Sequence, residues 1–266
     1  MNNMHESLAL VQRRIALIER RGRASGAGGV ITLGHDGIDR ALGGGLGRGR
    51  LHEVLTGADQ AASGAGFVAA LAYRAGGKVL WLRDTSVEAR MGRLYALGLT
   101  DIGVDPDRIV FGILPDAAAV LQAAVDALRC PALGAAVVEL PGDPRLLDLT
   151  ASRRLALAAE KSGVLALMLR VGGTSAPSAA QTRWQVEAAP SCSPGANAPG
   201  NPAWDLTLLR QRGRASGGQW RVEWNRQQGI LRDWHEVAGD AALSGDLAAP
   251  SADRPAGSGA TLRRAG

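Results

Sequence analysis

The sequence predicts an α/β protein, a mostly parallel sheet with helices on both faces and an antiparallel β extension near the C-terminus. Three observations carry that reading. Between residues 50 and 171, short and nearly continuous apolar runs alternate with segments of helical period, the mark of strands buried on both faces. After Gly172 the pattern turns to alternating strands joined by turns and loops rich in Gly, Pro, Ser and Asn. The 266 residues are 46% apolar and 21% charged, which is ordinary globular usage and length enough for one large domain or two small ones.

Leu8, Val11, Ile15 and Ile18 recur at three- and four-residue spacing and predict an amphipathic N-terminal helix. Its apolar stripe has two candidate receivers, the protein's own core or a neighbouring copy. Residues 21–29 are too glycine-rich to continue the helix and read as a linker, so 1–29 stands apart from a core spanning 30–236. That core opens with a turn, a helix and a Gly-rich loop. Strands are predicted over 50–55, 78–82, 109–112, 134–140 and 164–171, with helices over 64–75, 87–97, 117–128 and 146–161. Beyond them 183–187, 205–210, 219–224 and 230–234 read as strands. Trp220, Val222 and Trp224 alternate with Arg221 and Glu223, which predicts an antiparallel hairpin or meander. Residues 237–266 hold few large apolar groups and are expected to form a disordered tail.

Several function classes fall away. The longest stretch of apolar or small residues, 61–73, and the run 164–171, broken by Arg170, fall short of the about 18–20 residues of a membrane span. Glu6, Arg13 and Arg14 interrupt the N-terminal pattern, which argues against export and for the cytoplasm. Cys130 and Cys192 are too few for a disulfide framework or a four-thiolate site. His5, His35, His52 and His235 are isolated from one another and from the cysteines, so no metal-ligand spacing appears, and no Gly-x-Ser-x-Gly is present. Thirty basic against 25 acidic residues give a net charge of +5, with only Lys78 and Lys161 as lysines. Such basicity alone is a weak pointer to nucleic acid.

Residues 31–71 carry the most chemistry: turn, helix, Gly-rich loop, strand, a second Gly-containing loop and helix. This order resembles the entry of a RecA-type ATPase. The resemblance continues through the strand 78–82, RLYALGL at 93–99, GVDPDRIVF at 103–111, AAVVEL at 135–140 and VLALMLR at 164–170. A working phosphate loop wraps phosphates with backbone N–H groups, sets a Lys on the terminal phosphates and a Ser or Thr on magnesium. Here the loop reads GADQAASGAGF. With Gly64 as the second motif glycine, the first falls on Asp59, Gly57 lies two residues early, Ala65 stands for the Lys and Gly66 for the hydroxyl. No Gly-Lys-Ser/Thr occurs in the chain. Glu139 stands where RecA relatives carry the magnesium Asp, and the position of their catalytic Glu falls on Thr85. Loss of the ammonium should lower nucleotide affinity and transition-state stabilisation steeply. The expectation is a retained fold with a dead nucleotide site, no catalytic residues and no obligatory cofactor, ATP and magnesium staying open.

With the C-terminal pattern LLRQRGRASGGQWRVEW at 208–224 and Trp234, the chain resembles the ImuA family, RecA-like accessory proteins of damage-inducible mutagenesis in bacteria. The resemblance implies a noncatalytic role in translesion synthesis under SOS control. It also implies two partners, the inactive Y-family polymerase relative ImuB and an error-prone C-family DNA polymerase. Contact with ImuB is expected on 219–234 and the tail. The segments 141–148 and 172–181 match the DNA-holding loops of RecA, the second shortened and without charge. Single-stranded DNA remains a candidate ligand on other grounds. Arg210, Arg212, Arg214, Arg221, Arg226 and Arg232 lie near Trp220, Trp224 and Trp234 in sequence, and guanidinium groups beside aromatics suit phosphates and unstacked bases. The alternative is that the tryptophans are core and the arginines a solvated edge. Two rival functions stand beside the adaptor: a divergent DNA-stimulated ATPase and a SulA-like inhibitor of cell division.

Overall fold

A computed structural model describes residues 29–192 and 200–235. The predicted N-terminal helix and C-terminal tail lie outside the described residues. Strand β1 (Val30–Ile31) leads to helix α1 (Asp36–Leu42), and β2 (Leu46–Gly47) pairs back on β1. There follow β3 (Leu51–Thr56), α2 (Ala61–Ala75), β4 (Lys78–Asp84), α3 (Thr85–Met91), α4 (Ala96–Asp101), β5 (Ile109–Leu114), α5 (Ala117–Ala127), β6 (Leu133–Pro141), α6 (Leu149–Ser162) and β7 (Leu165–Val171). The antiparallel extension is β8 (Thr182–Ala188), β9 (Ala203–Gln211), β10 (Gln219–Asn225) and β11 (Ile230–Asp233). They build one nine-stranded sheet in the order β11-β10-β9-β8-β3-β7-β6-β4-β5. The strands from β3 to β5 in that order are parallel, β8 is still parallel to β3, and the reversal begins between β8 and β9.

Burial explains the two layers of helix. One face of the sheet packs Val54, Val79, Trp81, Val137, Leu167 and the Trp184, Trp204 and Trp224 side chains with α1 and α2. The other packs Leu51, Leu80, Val138 and Met168 with α5 and α6. Asp84, Asp116 and Asp148 each accept a backbone N–H at the start of α3, α5 and α6, so these three helices begin on side-chain caps. The helix predicted over 87–97 is instead two short ones. Gly92 has φ of 74°, a conformation that ends α3 and that a side chain rarely adopts.

The two ends of the described core meet. The Leu231 N–H donates to the Leu33 carbonyl at 2.8 Å, and Ile230 lies so close to Gly34 that an added Cβ would come within 2.4 Å of it. His35 accepts the Ile38 N–H through Nδ1, leaving Nε2–H to donate to Asp233 Oδ1 at 2.9 Å.

Candidate functional site

At the carboxyl end of β3, where parallel α/β sheets commonly take ligands, the chain turns at Gly57 through a tight turn at Ala58–Gln60 and enters α2. Gly57 begins the turn and Asp59 lies in its middle, so a motif counted from Gly57 sets Ala62 and Ser63 at the second-glycine and lysine positions. Ala62 and Ser63 lie in the first turn of the helix, and Gly64, Ala65 and Gly66 follow in the same helix. Gly64 is tightly packed, since a Cβ there would meet the Thr56 methyl at 2.7 Å. In contrast to α3, α5 and α6, α2 begins with no side-chain cap, which leaves its first N–H groups for other partners.

Over this turn lies a cleft of about 570 Å³. Its walls are the first turns of α2, Arg83 and Glu139 at the ends of β4 and β6, residues 91–95, Gly98, Leu99 and Ile102, the ends of the β8–β9 connection, and Trp204 of β9. The sheet register pairs Arg83 with Glu139 and Trp81 with Val137, so Trp81, Arg83 and Glu139 share one face. Trp81 Nε1–H donates to Glu139 Oε2 at 2.7 Å and Arg83 Nη2 to Oε1 at 3.1 Å. Arg83 Nη1 also donates to the Gly92 carbonyl, holding the break between α3 and α4. Burial pushes the Glu139 carboxyl above its ordinary range, against the Arg83 charge and the Trp81 and Arg83 hydrogen bonds, which pull it down. Both carboxylate oxygens of Glu139 thus accept a hydrogen bond from side chains of its own sheet. Asp84 is spent on capping α3, accepting from Val87 N–H and Ser86 Oγ, and Thr85 donates to the Pro115 carbonyl. Ser63 Oγ and Arg83 Nε, both at the cleft, are buried without a hydrogen-bond partner among the described residues.

A second buried charge cluster lies on the opposite face. Glu53 accepts from Arg170 at 2.8 Å, from Arg183 at 2.7 Å and from Ser178 Oγ at 2.9 Å. Arg170 also pairs with Asp143, which accepts the Thr174 N–H and hydroxyl, and Arg183 reaches Ser175 Oγ and the Ala176 carbonyl. The segments 141–148 and 172–181 are therefore tied to each other and to β3. Beside Glu53, His52 completes a chain. Trp184 Nε1–H donates to Thr182 Oγ1, whose hydroxyl donates to His52 Nδ1, and His52 Nε2–H donates to the Gly47 carbonyl. Burial lowers the His52 pKa to about 4 against the hydrogen bond to Gly47, so the ring is neutral at pH 7.

The Arg and Trp residues predicted as a binding surface separate. Trp224 is buried in the core with its Nε1–H on the Ile102 carbonyl, and half-buried Trp220 packs on Trp184 with ring centroids 6.0 Å apart. Arg221 lies on the reverse face of β10, bidentate to Asp205 at 2.7 and 2.8 Å. The two-residue period of β10 sends Trp220 and Trp224 to one face and Arg221 to the other. Only Trp234 keeps an arginine, Arg221, 5.2 Å from its ring centre. Arg210 donates to the Ser178 carbonyl, Arg226 to the Asp101 carbonyl and Arg232 pairs with Glu223. Arg214 lies over Gly43 at the end of α1, and exposed Arg212, like Arg214, has no side-chain acceptor among the described residues. The sequence reading missed the ties of Trp81 and Arg83 to Glu139. Its available signal was a charged residue inside an apolar strand run, as with Glu53, Arg83, Glu139 and Arg170, since a buried charge requires a partner.

No protein-family profile matches the chain. It is 36% identical over 208 residues to Protein ImuA of Caulobacter vibrioides (strain NA1000 / CB15N), covering 71% of this chain and 81% of that protein. The same figures hold for Protein ImuA of Caulobacter vibrioides (strain ATCC 19089 / CIP 103742 / CB 15). Among solved structures, the crystal structure of the RadB recombinase superposes with a TM-score of 0.52 at 15% identity, covering 77% of this chain and all of that one. That likeness establishes a RecA-type fold.

Proposed function

The chain belongs to the ImuA family, and from that premise we propose that it is a noncatalytic RecA-fold accessory protein of damage-induced translesion synthesis. In this role it bridges an ImuB-type Y-family polymerase homologue and an error-prone C-family polymerase. The observation that carries the noncatalytic part is the Glu139 site. Its two oxygens are held by Trp81 and Arg83, beside a helix with Ala62 and Ser63 where an ATPase needs Gly and Lys. The tie between 141–148 and 172–181 supports a protein-binding role over a RecA-like grip on DNA, since Asp143 of the first holds the Thr174 N–H and hydroxyl of the second. Direct binding of single-stranded DNA then falls to Arg212 and Arg214, whose replacement by Glu should weaken it and flatten its salt dependence.

Affinity purification of the full chain from cells with and without DNA damage, followed by mass spectrometry, tests the reading. Recovery of a Y-family-like protein together with a C-family polymerase after damage is the expected result. Recovery of the tubulin-like division protein alone would favour the division-inhibitor rival. A preparation that hydrolyses magnesium-ATP would favour the ATPase.

A further inference from the structure

Helix α6 shows solvent more apolar surface than a solvated face needs. Leu146, just before it, and Leu149 and Leu157, on it, are 58%, 51% and 50% exposed. Arg145, Arg153 and Arg154 are exposed among them. The nearby carboxylates are already engaged, Asp148 capping the Ala151 N–H and Glu160 pairing with Arg50. The three arginines therefore have no acidic partner among the described residues, while Arg93 and Arg221 elsewhere on the surface each have one and Asp126, in the groove beside Arg154, is taken by Arg129. Two grooves flank the helix. One, of about 580 Å³ between α5 and α6, is lined by Leu121, Val125, Leu146 and Arg154. The other, of about 330 Å³, is lined by Leu149, Arg153, Leu157 and Arg212. Each thus joins leucine to a guanidinium.

We infer that this face docks a partner protein through a segment both acidic and apolar, with apolar anchors in the grooves and carboxylates on Arg153 and Arg154. Charge complementarity sets the sign of the partner. The leucines set its class, because a phosphate backbone gains from cations alone whereas apolar anchors gain from covering half-exposed side chains. The face is remote in sequence from 219–234 and from the cleft and shares only Arg212 with the proposed DNA contact, so the inference, resting on Leu157, Arg153 and Arg154, is tested apart from the proposed function.

The test is photo-crosslinking in the native cells, using the full chain with a photoreactive phenylalanine derivative at Leu157 or, as control, at exposed Leu209 of β9. Protein adducts at 157 should exceed those at 209 about fivefold, and the attached peptides should carry Asp or Glu around apolar residues. Adding Arg153→Glu and Arg154→Glu should cut the yield about tenfold at unchanged Tm, and Arg153→Lys with Arg154→Lys should keep most of it. If charge reversal lowers Tm, Arg153→Gln with Arg154→Gln takes its place with the same loss required. Adducts to nucleic acid or lipid, basic or uncharged peptides, equal yields at 157 and 209, or a yield indifferent to the charge changes would each overturn the inference.

Discussion

Glu53 and Glu139 are both buried glutamates inside apolar parallel strands, yet their surroundings differ in kind. Glu53 is gripped by two arginines and a serine on the α5–α6 side of the sheet, at the seam where the parallel strands pass into the antiparallel extension. Glu139 has one arginine and one tryptophan on the α2 side, borders a cleft, and has neighbours Arg83 and Ser63 with atoms lacking partners. The first arrangement is a joint that fastens two halves of a sheet. The second keeps a carboxylate beside an open cleft. A buried charge in a strand therefore identifies a place of consequence, and its neighbours decide whether that consequence is mechanical or chemical.

The largest expected effect breaks the joint. Glu53→Ala leaves Arg170 and Arg183 buried without their carboxylate and should cost about 4 kcal/mol in urea unfolding, whereas a loss under about 1 kcal/mol would mean that the seam is held by apolar packing. Next is His52, in the same seam. Above pH 6.5 the ring is neutral folded and unfolded. As pH falls toward 4 the unfolded chain takes the proton first, so stability should drop by about 3 kcal/mol. Urea midpoints across that window, compared with His52→Gln, check it. Glu139→Gln should cost somewhat less, about 2–3 kcal/mol, since the amide oxygen still accepts from Trp81 while buried Arg83 loses its carboxylate. It should also remove a pH dependence of the opposite sign, because a raised carboxyl contributes stability at low pH that is lost as pH rises through its folded value. Millimolar magnesium-ATP should move Tm by less than about 1 °C, and a shift of several degrees would restore nucleotide to the cleft. The smallest effect belongs to the half-exposed Arg221–Asp205 pair, where Arg221→Ala should cost less than about 1 kcal/mol.

The parallel strands were legible because nearly continuous apolar runs such as LALML and AAVV, bounded by turn residues, fit strands buried on both faces. The β10 alternation already separated Trp220 and Trp224 from Arg221, and the structure gives that separation its two faces. The break at Gly92 was readable from a glycine in a helical pattern, but nothing local showed that Arg83 would hold it. The β1–β2 pair, of two residues a side, is too short for any periodicity to announce. The Glu139 site was half legible. Sequence order located the carboxylate, but Trp81 and Arg83 are 58 and 56 positions away and become its partners only through strand register. The seam needs register between β3, β7 and β8, and the α6 face needs knowledge of which leucines the core leaves out.

The contact of Leu33 with Leu231 and of His35 with Asp233 joins residues 198 apart in each case. On the ribosome, the early segment emerges long before the strand it will meet. Closing so long a loop is slow relative to forming neighbouring βα pairs. The parallel centre can thus assemble while the chain is still growing, whereas the β11 margin waits for synthesis to pass residue 235, leaving the Leu33 carbonyl and the His35 ring without their β11 partners until then.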